Sequence, residues 1–206
     1  MPNTSLFRRD LLFPLLVFIF YMLAAVSGAL LSGNGEFVFY IVVMLVLSGV
    51  ILYVHSRINL STALIWCFVI WGAMHMAGGL VPLPDSWSIN GDQRVLYSWW
   101  LIDGMLKYDQ ITHAFGFGTT TWLCWQALQS LSNGQIRATL GPLSLCVFAA
   151  TGLGALNEII EFAATLMGPT NVGGYLNTAL DLVFNLAGAV IAALLIAWKY
   201  KVRPNS

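Results

Sequence analysis

Residues 36–54 read EFVFYIVVMLVLSGVILYV, a run whose one charged side chain is the first, Glu36. A helix crosses the hydrocarbon core of a bilayer with ~20 mostly apolar residues, and this run has that length and character. Upstream, 11–31 (LLFPLLVFIFYMLAAVSGALL) has no charge at all. It exceeds the ~7–15 residues of a signal-peptide core and so reads as a span. Four further stretches qualify downstream, at about 60–81, 109–131, 138–167 and 176–198. They are broken by small and polar residues, as in helices that pack on one another and not only on lipid.

Composition agrees. Of 206 residues 58% are hydrophobic and 9% charged, against ~25% charged in soluble domains. Nine basic residues balance nine acidic ones without a basic stripe, which excludes a nucleic-acid partner. Cys67, Cys124 and Cys146 stand singly in apolar runs and read as small buried hydrophobes. The expectation is an all-α polytopic transmembrane bundle of about six spans forming a single domain over 1–206, with membrane lipid around it. Six spans place Arg8, Arg9, Arg57, Arg137, Lys199, Lys201 and Arg203 on one side, leaving Arg94 and Lys107 opposite. The positive-inside rule then makes both termini cytoplasmic. The connection 82–108 is the one sizeable outer segment. Its aromatic run Val95–Leu101 is expected on the outer membrane face, as an interfacial anchor or as a lid. His55 falls in a cytoplasmic turn and is expected to face solvent.

Ionisable groups inside spans are costly, and they mark interiors and cavities. Here they are His75, Asp109, His113, Glu158, Glu161 and Asp181. With both termini inside, all six fall in the outer half of the bundle. Asp109 and His113 are spaced i,i+4, Glu158 and Glu161 i,i+3, and Asn177, Asp181 and Asn185 form one i,i+4 stripe, so each set shares a helix face. Gly78, Gly79, Gly116, Gly118, Gly152, Gly154 and Gly188 would let backbones approach closely around them, and Gly173-Gly174 would turn the outer loop. Four carboxylates in low dielectric repel one another unless protons or a compact positive charge lie among them. Oxygen and imidazole donors suit Zn, Mn or Fe. His75, Asp109, His113 and Asp181 are therefore the expected metal ligands, and Glu158 and Glu161 the expected acid/base pair, with ligand and acid/base duties interchangeable among the carboxylates.

His75-Met-Ala-Gly-Gly79, Tyr108-Asp109-x-x-x-His113 followed by Gly116, Glu158-x-x-Glu161, and Asp181 before Gly188 together resemble the YjdF-type proteins. These are small bacterial inner-membrane proteins without an assigned activity. Asp181-x-x-x-Asn185-x-x-Gly188 also resembles the ending of the VanZ-like family, which is associated with glycopeptide-antibiotic resistance. YjdF-type proteins usually carry an acid where this chain has Asn177. The resemblance implies a multi-pass bacterial inner-membrane location and a shared polar set, but no substrate. Three functions stay open. One is a metal-dependent hydrolase or transferase acting on a lipid or lipid-linked envelope molecule. The second is a proton-coupled or ion transporter, for which a homo-oligomer would have to complete the path. The third is a non-catalytic scaffold.

Overall fold

The computed structural model describes residues 9–33, 35–91, 93–166 and 174–202. Six long helices account for most of them: α1 (Arg9–Ser32), α2 (Gly35–Ile58), α3 (Thr62–Leu80), α4 (Tyr108–Leu131), α5 (Leu140–Thr165) and α6 (Tyr175–Val202). The chain is an all-α membrane bundle, its helix ends within a few residues of the expected spans. Five of the helices are long and apolar enough to cross a membrane on their own composition, α4 being the exception. At 24 residues α4 matches the length of the others, but it buries Gln110, Thr112, His113, Thr119, Thr120 and Thr121. Its neighbours α3, α5 and α6 all pack on it, so those side chains meet protein and not lipid. Thr112, Thr120 and Thr121 return their hydroxyls to carbonyls four residues back, which leaves no hydroxyl proton unpaired.

Two apolar clusters hold the bundle. One joins α1, α2 and α3 through Met22, Ala25, Phe37, Ile41, Met44 and Met76. The other joins α4, α5 and α6 through Trp125, Leu143, Val147, Ala150, Ala189 and Ile196. The closest helix pair is α4 and α6, because Gly188 and Gly118 lie where they cross. A Cβ on Gly188 would run into the backbone of Ala114, and one on Gly118 would sit 3.0 Å from the Gly188 carbonyl oxygen.

The 82–108 connection folds into a small cap. Val95 pairs with Pro82 and Trp99 with Ile89, and the strands β1 (Trp100–Ile102) and β2 (Leu106–Lys107) form an antiparallel ribbon turned at Gly104 (φ +70°). Trp87 and Trp99 stack with ring centroids 4.4 Å apart. The aromatic run is therefore more than a surface anchor: Tyr97 lies against Gly78 of α3, in space that any Cβ there would occupy, and reaches His75.

One expectation is corrected. His55 does not face solvent, because α2 continues to Ile58 and His55 is 1% exposed within the helix packing. The proposed turn at Gly173, together with Arg8, Arg203 and Asn34, lies outside the described residues.

Candidate metal centre

The polar residues converge at the cap end of the bundle. His113, 2% exposed at the heart of α4, is their hub. Its Nδ1 donates to Asn185 Oδ1 of α6 at 2.9 Å. That hydrogen bond leaves Nε2 free, 3.6 Å from Asp109 Oδ1 and 3.9 Å from Glu161 Oε1. Glu158 Oε1 lies 3.7 Å from the Nδ1 side of the ring. Asp181, fully buried on α6, accepts from Asn177 Nδ2 at 2.6 Å through one carboxylate oxygen. Glu161 Oε1 accepts from Asn157 Nδ2 at 2.8 Å.

Donor atoms of Asp109, His113 and Asp181 all lie within 4.8 Å of one another, and so do those of His113, Glu158 and Glu161. The two sets share His113. Both oxygens of Glu158, the second oxygen of Asp181 and His113 Nε2 are buried without a hydrogen-bond partner. A buried acceptor left unmatched costs ~1–3 kcal/mol, more for a charged group, so several gathered around one imidazole make this a candidate coordination site. The donors are imidazole nitrogen and carboxylate oxygen, a set that suits a divalent transition ion. Asn185 and Asn157 hold the first-line groups in place from behind, as the outer partners of metal ligands do.

His75 belongs to neither set among the described residues. It lines a cavity of about 80 Å³ together with Asp109, Glu161 and Asn177, and the Tyr97 hydroxyl engages its Nδ1. Burial first, then the carboxylates of Asp109 and Glu161, push the Tyr97 phenol well above its usual range, so it stays protonated beside His75. Beside His75, one turn back on α3, Trp71 lines the same cavity, and its ring meets the imidazole edge-on with centroids 4.7 Å apart.

The sequence places Lys107 in the outer loop and pairs it with Asp109 at the helix end; the pairing is present, but Lys107 is buried, 4% exposed. Its ammonium donates to Asn177 Oδ1 and stands 3.6 Å from Asp109 Oδ2. Gln110 anchors it by accepting from the Lys107 backbone N–H at 2.9 Å. The available signal was its position two residues before Asp109 at a helix start, which brings a long side chain back over that helix end. Asn177, as an amide, accepts from the ammonium and donates to both Asp181 and, at 3.4 Å, Asp109. A carboxylate there could do only the first.

Comparison with protein-family models matches residues 13–202 to one described as a predicted membrane protein family (DUF2238). No curated protein and no solved structure matches.

Proposed function

The chain belongs to the DUF2238 family of predicted membrane proteins, and from that premise we propose that it is a YjdF-type protein of the bacterial inner membrane carrying a divalent metal ion, Zn, Mn or Fe, in the outer half of its bundle. On this reading it is a metal-dependent hydrolase or transferase acting on a lipid or lipid-linked envelope molecule. The carrying observation is the pair of donor sets that share His113, one with Asp109 and Asp181 and one with Glu158 and Glu161, in which His113 Nε2, both Glu158 oxygens and one Asp181 oxygen are buried without hydrogen-bond partners. His113, Asp109 and Asp181 are assigned as ligands. Glu158 and Glu161 divide the remaining ligation and the acid/base work. His75, held by Tyr97 across the cavity, faces the substrate. A metal ion so placed would polarise a phosphoryl or acyl oxygen or activate water. Lys107 would steady the charge of Asp109 beside it.

The alternative of a proton or ion carrier requires a polar route through the other half of the bundle. There α4, α5 and α6 are sealed by Trp125, Val147, Ala150, Ala193 and Ile196, which favours the enzyme. The test is elemental analysis of protein purified in mild detergent with Zn, Mn and Fe each supplied. Stoichiometric metal in the wild type, lost in His113→Ala and Asp181→Asn, is the expected result. Wild-type protein that takes up none of the three would end the metal reading.

A further inference from the structure

We propose that the polar cavity is the head end of one continuous groove, whose apolar continuation between α2 and the α1/α3 pair holds a hydrocarbon chain of the substrate. This deepens the enzyme reading and rests on it for the head-group chemistry. A second cavity, of about 290 Å³, lies between α1, α2 and α3. Met44, Leu47 and Trp71 line both cavities, so the two share a wall and follow one another along the bundle. On α2 the lining positions include Phe37, Tyr40, Met44, Leu47, Ile51 and His55, an i,i+3/i+4 stripe. From Phe37 to His55 that stripe runs ~27 Å at 1.5 Å per residue, close to the full ~30 Å of the hydrocarbon core.

The lining chemistry commits the occupant. Away from Arg9 and His55 at its far end, the second cavity is apolar apart from the Tyr21 and Ser48 hydroxyls and the Trp71 indole N–H, and the Ser48 hydroxyl is already given to the Met44 carbonyl at 2.8 Å. A water needs two to four polar partners, and a space this large with so few takes an apolar ligand. In a bilayer the apolar ligand at hand is an acyl or prenyl chain. The opposite end meets Asp109, Glu161 and His75, which is where a polar head belongs. The resulting ligand class is an amphiphile with its polar head at the metal centre and one chain along α2. It is distinct from the lipid that solvates the outward face of α2, where Val42, Val46 and Val50 stand exposed.

The experiment reconstitutes the full chain in phosphatidylcholine vesicles doped with a phosphatidic acid whose acyl chain ends in a photoactivatable diazirine, and maps the crosslinks by peptide mass spectrometry. Labelling of Ile51, Ile65 and Phe68 is expected, falling roughly tenfold in Ser48→Trp or Leu47→Trp, which put a bulky ring in the chain's path. Labelling confined to Val42, Val46 and Val50 in the wild type overturns the groove, whatever the variants do. So does groove labelling that neither folded variant reduces. Metal content measured on the same samples separates the two claims. Groove labelling without metal keeps the chain site and removes the metal enzyme, whereas metal without groove labelling does the reverse.

Discussion

Gly188→Ala perturbs the site without touching any of its donors. The added Cβ would overlap the Ala114 carbonyl oxygen and lie 2.6 Å from the carbonyl carbon and 2.7 Å from Cα, where ordinary contact starts at 3.4 Å. The obstacle is backbone, so no side chain can rotate out of the way, and α6 must move from α4 by more than the 0.8 Å (3.4 less 2.6) that clears the carbonyl carbon alone. Asn185 sits one turn before Gly188, and His113 immediately precedes Ala114. Even 0.8 Å of that displacement stretches the 2.9 Å His113–Asn185 hydrogen bond to about 3.7 Å, beyond hydrogen-bond range. Overpacking costs typically ~1–3 kcal/mol, and a backbone clash belongs at the upper end. At ~2–4 °C per kcal/mol for a chain of this size, the Tm in detergent should fall by about 6–12 °C, and metal affinity should fall with it. Gly152→Ala on α5 is the control: nothing lies within 4 Å of its added Cβ, and its Tm should stay near that of the wild type. The assay is a thermal melt of both variants, with and without added metal. If Gly188→Ala melts together with Gly152→Ala, the close crossing of α4 and α6 is wrong, and so is its role in holding His113.

Lys107→Met removes the buried ammonium and leaves Asp109 facing its fellow carboxylates. A loss of ~3–5 kcal/mol is expected without metal, and melts should show it largely regained when Zn or Mn is added. His55→Ala should lower Tm clearly more than the ±0.5 kcal/mol of a surface change, since the ring is buried among α1, α2 and α3. Reporter fusions after Ser132 and at the C-terminus should read as cytoplasmic, and one placed at 85–91 as external. A C-terminus found outside would overturn the six-span arrangement.

Residues 11–31 and 36–54 announced the fold because apolar length is a local property of the chain. The i,i+4 spacing of Asp109 and His113, and of Asp181 and Asn185, likewise carried the site, since one helix fixes which residues share a face. The pairing of Lys107 with Asp109 followed from their closeness in sequence, but the burial of Lys107 and the reach of Tyr97 to His75 were not legible, because they depend on how the cap folds back over α3 and α4. That is set by long-range pairing such as Val95 with Pro82 and Trp99 with Ile89, and no local period encodes it. His55 was misread for a related reason. A polar residue beside Arg57 marks a helix end in sequence, but α2 runs one turn further and carries the ring inward.

The polar character of α4 bears on how the protein is made. Leu, Ile, Phe and Val favour entry into lipid at a translocon by only a few tenths of a kcal/mol each, and one Asp costs about 2.5–3.5 kcal/mol at a helix centre. Five helices can make that passage one at a time, but α4 carries Gln110, His113 and three consecutive threonines into the layer. It must therefore be received by helices already in place, with α3 before it and α5 and α6 soon after. A nascent chain halted before α6 would leave the Gly118 face and His113 without their covering helix, an open seam of the kind quality-control proteases recognise. Biogenesis and assembly of the polar centre are then one event: the helix the membrane accepts least readily is the one around which the centre is built.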